Sequence, residues 1–201
     1  MAARALNLGQ GTKVIVPAIT FLATASAPHL NGAEIVFADV DPTTGLMTPE
    51  TFSQALARAG KADAVLNVHL NGQCGALEEI AAIARLHKMK IVDDACHTFG
   101  ATYVGKDGAS RIGANAHCDL SVFSFHPVKA IAMGEGGAVM TDKPNLQVLI
   151  DSFRDWGRDC WCEPGMDNTC GKRFDWQLGT LPCGYDHKYT YSHVGYNLKA
   201  T

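Results

Sequence analysis

The 201-residue chain is long enough to bury one substantial hydrophobic core. Its formal net charge is −3 and its 17 basic residues form no long run, which argues against nucleic acids and membrane surfaces as partners. The longest uncharged stretch contains Pro17 and Pro28, and no secretory leader pattern opens the chain. We therefore expect a cytoplasmic protein without a membrane span.

Short apolar segments rich in β-branched residues alternate with segments of helical periodicity along most of the chain. In chain order, strands are predicted at 14–16, 35–37, 64–68, 90–92, 120–125 and 138–141. Helices are predicted at 21–31, 49–59, 76–88 and 145–156. The second helix has a clear start, because Thr48 is a good N-cap and Pro49 suits the first turn. The alternation predicts an α/β fold with a mostly parallel, doubly wound sheet and helices on both faces.

The composition changes after Trp156, where cysteine, glycine and aromatic residues become frequent and periodicity is lost. Such long irregular segments are usually functional or disordered, and the tryptophans and tyrosines argue against simple disorder. We therefore predict an α/β domain over 1–156 and a separate irregular segment over 157–201.

Three chemically useful side chains follow predicted strands. Asp94 ends one strand, Ser124 ends another, and Lys129 lies just behind it, ahead of a glycine-rich run at 134–137. Ligands of α/β sheets gather at the carboxyl ends of strands, so these residues are expected to share a site. A lysine amine can form a Schiff base with an aldehyde, and a carboxylate can keep a pyridine nitrogen protonated. The pattern therefore favours pyridoxal phosphate (PLP) chemistry.

The sequence resembles the DegT/DnrJ/StrS family of PLP-dependent nucleotide-sugar aminotransferases from about Leu6 onward. The resemblance is carried by the segments 16–21, 36–41, 94–97, 124–129 and 134–138. It implies the large domain of the aspartate-aminotransferase-like PLP-dependent transferase fold (type I). Family members have a phosphate-binding turn before the matched region and a small domain after it, so we expect this chain to be the central piece of a longer protein.

The resemblance also implies roles for individual residues around PLP or pyridoxamine phosphate. Lys129 would be the catalytic lysine and Asp94 the partner of the ring nitrogen. Further cofactor contacts would come from His97 near the ring oxygen, Phe21 on the ring face, Ser124 at the phosphate, and Asn197 at the phosphate of a neighbouring subunit. The last role implies a homodimer with shared active sites. His97 could equally be a loop histidine, and Phe21 a core residue.

The cysteines form a second pattern. Seven cysteines in a chain without a leader indicate metal or redox chemistry. Cys160, Cys162 and Cys170, followed by the segment 184–193, resemble the iron–sulfur branch of the family, the RfbH-type 3-dehydrases of CDP-4-keto-6-deoxyhexoses in lipopolysaccharide biosynthesis. The resemblance makes Cys96 the fourth ligand of a [2Fe–2S] cluster and implies an electron-donating reductase as partner. Zinc and metal-free thiols remain alternatives.

The two patterns imply different reactions. The dehydrase branch has histidine where this chain has Lys129, and this chain has extra residues between Tyr103 and Leu120. Because the lysine decides the chemistry, we predict amino transfer to a nucleotide-linked keto-sugar. Dehydration by a pyridoxamine phosphate and [2Fe–2S] enzyme is the first alternative, and a non-catalytic truncated remnant is the second.

Overall fold

The computed structural model describes residues 1–160, 162, 166 and 168–198. The chain divides into two compact units, one spanning Ala2–Lys143 and the other beginning at Pro144 and including Met1. The boundary predicted after Trp156 stays a prediction. None of the helices within the described residues has the length and apolar character needed to cross a bilayer.

The first unit contains all eight strands found among the described residues, and the main helices are those predicted from the sequence. The strands are β1 (Lys13–Pro17), β2 (Glu34–Ala38), β3 (Ala64–Val68), β4 (Lys90–Asp94), β5 (Thr102–Gly105), β6 (Gly108–Arg111), β7 (Leu120–Ser124) and β8 (Gly137–Met140). The helices are α1 (Ala2–Ala5), α2 (Leu22–His29), α3 (Pro49–Ala59), α4 (Leu77–Leu86) and, in the second unit, α5 (Pro144–Arg154). Short 3₁₀ turns lie at Leu70–Gly72 and His187–Tyr189.

Six strands form one sheet in the order β2-β1-β3-β4-β7-β8. All neighbours are parallel except β7 and β8, which pair antiparallel. Every residue of the central strand β3 is buried, as expected for a parallel strand that is covered on both faces. The predicted α/β fold with a mostly parallel sheet is confirmed.

The core of this unit packs α3 and α4 against the sheet. Phe52 of α3 and Ile80 of α4 are almost fully buried and belong to one cluster with Ile15 of β1 and Val65 of β3. Apolar positions on α3 recur on one face, which explains why the segment folds as an amphipathic helix over the sheet. This packing makes the sheet a rigid platform for the residues at its carboxyl edge.

Some local features differ from the sequence prediction, among them the short helix α1, which was not predicted. The antiparallel hairpin of β5 and β6 was not predicted, since its strands are only four residues long and their apolar character is weak. Helix α2 begins one residue later than predicted. Phe21 is therefore its N-cap, with extended backbone angles of φ −68° and ψ 142°, rather than part of the helix.

The second unit is ordered beyond α5 despite its irregular backbone. Arg173 donates to the Asp186 carboxylate at 2.7 Å from Nη2 and 3.0 Å from Nε. The neighbouring His187 is buried, and its ring stacks on Trp176 at a centroid distance of 4.7 Å. These contacts give the described part of the aromatic-rich segment a packed arrangement, while its predicted order stays a prediction.

Replacing Thr48 with alanine is expected to destabilise the first unit by about 1 kcal/mol. Thr48 Oγ1 accepts from the Thr51 N–H at 3.2 Å, and Thr51 Oγ1 accepts from the Thr48 N–H at 3.0 Å, so two otherwise unpaired donors at the start of α3 are satisfied. Urea unfolding measures the change. Ser53→Ala is the matched control, because it removes an exposed hydroxyl from the same helix and should cost less than about 0.5 kcal/mol. Equal losses in the two variants would contradict the capping role.

Candidate functional site

The Asp94 carboxylate lies at the carboxyl edge of the sheet and is held by two donors. Thr24 Oγ1 donates to Asp94 Oδ2 at 2.7 Å, and the Cys96 N–H donates to Asp94 Oδ1 at 3.2 Å. The parallel ladder of β3 and β4 ends with the pair Val68 and Asp94, which fixes the position of the backbone. Two hydrogen bonds to a carboxylate fix its orientation. Asp94 is thus an oriented acid at the edge where α/β folds bind ligands.

Phe21 is connected to this acid through helix α2. The Phe21 carbonyl accepts from the Thr24 N–H at 3.1 Å, and the Thr24 hydroxyl reaches Asp94. Phe21 is 72% exposed, so its ring is accessible from solvent. The first turn of α2 therefore presents an aromatic ring and supports the carboxylate at the same time.

Lys129 and Asp94 both act electrostatically on the Cys96 thiol. Burial, followed by the Asp94 charge and a hydrogen bond to it, raises the pKa of Cys96 to about 12, while the Lys129 ammonium opposes this shift. Cys96 and Asp94 are in direct contact through the hydrogen bond from the Cys96 N–H. That Lys129 lies at the same site stays a prediction.

Ser124 and His97 also lie on the edge of the first unit. Ser124 ends β7, is half-buried, and its hydroxyl accepts from the His126 N–H at 3.3 Å, so its own proton is available for another acceptor. His97 is exposed, and its Nδ1 accepts from the Asn71 N–H at 3.1 Å, which places the remaining ring proton on Nε2 when the ring is neutral. Both assignments as cofactor contacts stay predictions.

Asn197 belongs to the second unit. It is exposed and pairs with Asp155 in an isolated antiparallel bridge that closes the unit against the end of α5. Nothing in this geometry tests its predicted role at a neighbouring subunit's cofactor, and that role stays a prediction, as does the homodimer.

Three of the four predicted metal ligands cluster in the second unit. The Cys162 thiol hydrogen-bonds with those of Cys160 and Cys170. The Thr169 hydroxyl, with the backbone and thiol of Cys170, lowers the pKa of Cys162 to about 6, whereas burial raises the pKa of Cys160. Cys170 Sγ also lies 3.9 Å from His187 Nε2. The thiols of Cys160, Cys162 and Cys170 therefore lie next to one another.

The cluster is not arranged as a finished metal site. Across residues 1–160, 162, 166 and 168–198, no group of three or more His, Cys, Asp or Glu side chains is placed to hold a metal ion. The chemistry of the three thiols suits iron or zinc. Cys96 lies in the first unit, and the proposed ligand set stays a prediction.

The match to a family model decides the family. The model of the DegT/DnrJ/EryC1/StrS aminotransferase family matches residues 1–199. The chain belongs to the DegT/DnrJ/EryC1/StrS aminotransferase family. The family resemblance predicted from the sequence is confirmed, including its dehydrase branch.

Two curated relatives of this family member are similar over almost the whole chain. The dTDP-4-dehydro-2,6-dideoxy-D-glucose 3-dehydratase of Saccharopolyspora spinosa is 46% identical over 195 residues, which are 97% of this chain and 40% of the relative. The lipopolysaccharide biosynthesis protein RfbH of Salmonella typhimurium is 45% identical over 194 residues, 96% of this chain and 43% of that protein. The chain thus spans less than half the length of either relative.

Solved structures of aminotransferases share the fold of this family member. An aminotransferase from Psychrobacter cryohalolentis superposes with a TM-score of 0.77 and 29% identity over 98% of this chain and 45% of that chain. NtdA from Bacillus subtilis, solved with bound pyridoxamine phosphate, gives a TM-score of 0.69 and 29% identity over 79% of this chain and 34% of that chain. The predicted transferase-type fold is confirmed.

Sequence reasoning missed Thr24 and Thr20, the two hydroxyls behind Asp94. Thr20 Oγ1 lies 2.8 Å from Thr24 Oγ1. The sequence places these threonines in an ordinary strand-to-helix connection, 70 positions before the acid that Thr24 contacts. Only the pairing of the strands in the folded sheet shows that the two threonines and Asp94 share one site.

Proposed function

We propose that this chain forms the cofactor-binding part of a PLP-dependent aminotransferase that acts on a nucleotide-linked keto-sugar. The observation that carries the proposal is the Asp94 carboxylate, which two donors orient at the carboxyl edge of the sheet. Amino transfer by this class of cofactor needs an acid at the ring nitrogen and a lysine amine, and these two residues supply both groups. Membership of an aminotransferase family supports the same conclusion.

The residues at the sheet edge fit PLP. Asp94 is oriented to hold a proton on a ring nitrogen, and the exposed ring of Phe21 offers a flat apolar face beside it. The Ser124 hydroxyl has a proton to donate to a phosphate oxygen. The proposal therefore assigns the cofactor to Lys129, Asp94, Phe21, Ser124 and His97.

Bound PLP would supply an aldehyde that carries the amino group and a ring that accepts the electron pair left by deprotonation. Lys129 would bind the cofactor through its Nζ and, once displaced by an amino donor, would move a proton as general base from the same atom. Asp94 would keep the ring nitrogen protonated throughout, since its charge is stabilised by Thr24 and Cys96. Asn197 of a second copy would complete the phosphate site in a homodimer.

The test is transfer of ¹⁵N from labelled glutamate to nucleotide-linked 4-keto-6-deoxyhexoses, followed by mass spectrometry. The protein loaded with PLP is expected to give a product one amino group richer, with the label retained. Asp94→Asn should slow this reaction strongly, and Asp107→Asn is the control, because it changes an exposed carboxylate in the turn between β5 and β6. Absence of labelled product with every sugar and donor would overturn the proposal and favour a non-catalytic remnant.

A 3-dehydratase is the second candidate, and the coupled thiols of Cys160, Cys162 and Cys170 favour it, together with the two curated relatives. In this reading the protein would remove the C3 hydroxyl of a nucleotide-linked 4-keto-6-deoxyhexose with help from a reductase.

The aminotransferase and dehydratase proposals predict different results when the protein is reconstituted with iron and sulfide. An iron–sulfur absorption that disappears in Cys162→Ser but persists in Cys183→Ser, together with loss of the C3 hydroxyl from the sugar, would establish the dehydratase. Lys129→His, which introduces the residue of the dehydrase branch, should abolish amino transfer while preserving dehydration.

A further inference from the structure

The buried Thr24 side chain donates its hydroxyl proton to Asp94. The residue lies in the first turn of α2 with 4% exposure, and its Oγ1 is 2.7 Å from Asp94 Oδ2. An ionised carboxylate can only accept, and a hydroxyl has a single proton. The proton of Thr24 therefore points at Asp94.

Because the Thr24 proton is donated to Asp94, the direction of the hydrogen bond between Thr20 and Thr24 is also fixed. Thr20 Oγ1 and Thr24 Oγ1 are 2.8 Å apart, and because Thr24 has used its proton, Thr20 must be the donor. The two hydroxyls form a chain whose dipoles both point toward Asp94. Successive hydrogen bonds of one direction polarise and strengthen each other, most effectively where water is excluded.

The same residues connect the acid to the exposed aromatic ring. The Thr24 N–H donates to the Phe21 carbonyl at 3.1 Å, while the Thr24 hydroxyl donates to Asp94. A single residue thus fixes the distance between the N-cap of α2 and the end of β4. Cys96 restrains only the other carboxylate oxygen, so Oδ2 would be free to rotate without Thr24.

We propose that Thr24, oriented by Thr20, is a positioning residue that fixes the Asp94 carboxylate against the ring nitrogen of the bound cofactor. The inference rests on the proposed function, because it requires Asp94 to be the partner of that nitrogen. Thr24 does not touch the reacting atoms. It acts through Asp94 and through the turn that presents Phe21.

The experiment measures the cofactor itself rather than turnover. PLP labelled with ¹⁵N in the ring is bound to the wild-type protein and to Thr24→Val, Thr24→Ser, Thr20→Val and Asp94→Asn, and the ring nitrogen is observed by NMR. Dissociation constants are measured by equilibrium dialysis. Thr24→Val is expected to weaken PLP binding roughly 10-fold, since it removes a hydrogen bond to a charged group, and to move the ¹⁵N signal toward that of unprotonated pyridine. Thr20→Val should weaken binding about 2- to 5-fold, and Thr24→Ser should restore wild-type behaviour.

The variants separate failure of the inference from failure of the proposed function. If Asp94→Asn changes the ¹⁵N signal and Thr24→Val does not, Asp94 is the cofactor acid and Thr24 is not its positioning residue. If Asp94→Asn leaves both signal and affinity unchanged, the proposed function is wrong and the inference with it. Circular dichroism of the cofactor-free proteins checks folding. Should Thr24→Val not fold, a wild-type signal in Thr20→Val together with an altered signal in Thr24→Ser would also overturn the inference.

Discussion

Lys129→Ala is expected to lower the rate of amino transfer by about 10²- to 10⁴-fold, the range typical of losing a positioned proton-transfer group. The Lys129 side chain is half-buried behind β7, and its ammonium is close enough to Cys96 to oppose the rise in that thiol's pKa. Its backbone N–H donates to the His126 carbonyl at 2.9 Å, a contact that alanine keeps. The turn should therefore persist while the amine is lost. Stopped-flow absorbance of bound PLP after addition of glutamate measures the rate.

Two further measurements test whether the loss of amino transfer is specific to the amine of Lys129. Lys106→Ala removes an exposed lysine from the β5–β6 hairpin of the same unit and should leave the rate within about 2-fold, as is usual for surface changes. Added methylamine should restore part of the activity of Lys129→Ala, because it supplies a free amine to the space vacated by the side chain. A Lys129→Ala protein that transfers amino groups at the wild-type rate would exclude this residue as the catalytic lysine.

Gly157→Ala is expected to destabilise the second unit by more than about 3 kcal/mol, the sum of overpacking and left-handed backbone strain. Gly157 has a φ of +85°, and an added Cβ would overlap the His193 carbonyl oxygen and lie 2.8 Å from the carbonyl carbon. The backbone cannot give way easily, since the Ser192 N–H donates to the Gly157 carbonyl at 3.1 Å and the Trp156 N–H to the Tyr196 carbonyl at 2.8 Å. Tryptophan fluorescence during urea unfolding reports this unit, because every tryptophan of the chain lies after residue 155.

Variants at two other glycines of the same unit separate the effect of backbone strain from the effect of the steric clash. Gly184 has a φ of +95° and no described atom within 4 Å of an added Cβ, so Gly184→Ala should show the strain alone, about 1–2 kcal/mol. An added Cβ at Gly195 would lie 2.5 Å from the Trp156 carbonyl carbon without a positive φ, so Gly195→Ala should show the clash alone. Equal losses for Gly157→Ala and Gly184→Ala would contradict the close approach of the two backbone segments.

The sequence predicts the sheet well because its strands are locally distinctive. The run Ala64–Val68 is apolar except for Asn67, and the structure forms β3 over the same residues. Thr48 and Pro49 likewise mark the start of α3 through hydrogen bonds made within one turn. Where a helix or strand is determined by residues that are close together in the sequence, the sequence alone is sufficient to predict it.

Features that depend on distant contacts were not predicted. The hydroxyl of Thr24 has a role only because β1 and β4 flank β3, which brings the start of α2 to the end of β4. The hairpin of β5 and β6 is stabilised from outside, since Glu78 of α4 accepts from the Lys106 N–H at 2.8 Å. In both cases the deciding partner lies more than 25 residues away. By contrast, Asp94 and Lys129 were singled out as candidates by their chemical type together with their positions after predicted strands and the family resemblance.

The pairing of β4 with β7 fixes the backbone at the candidate site, whereas the residues between these two strands can vary in length. Asp94 pairs with Val122, so the ladder sets the spacing between Asp94 and the strand that leads to Lys129, while the intervening residues leave the sheet as the β5–β6 hairpin. Insertions or deletions in that excursion change neither the register nor the direction in which β7 ends. We therefore expect a change in the length of the hairpin to leave Asp94 and the end of β7 at the same separation. The extra residues predicted between Tyr103 and Leu120 fall in this stretch of the chain.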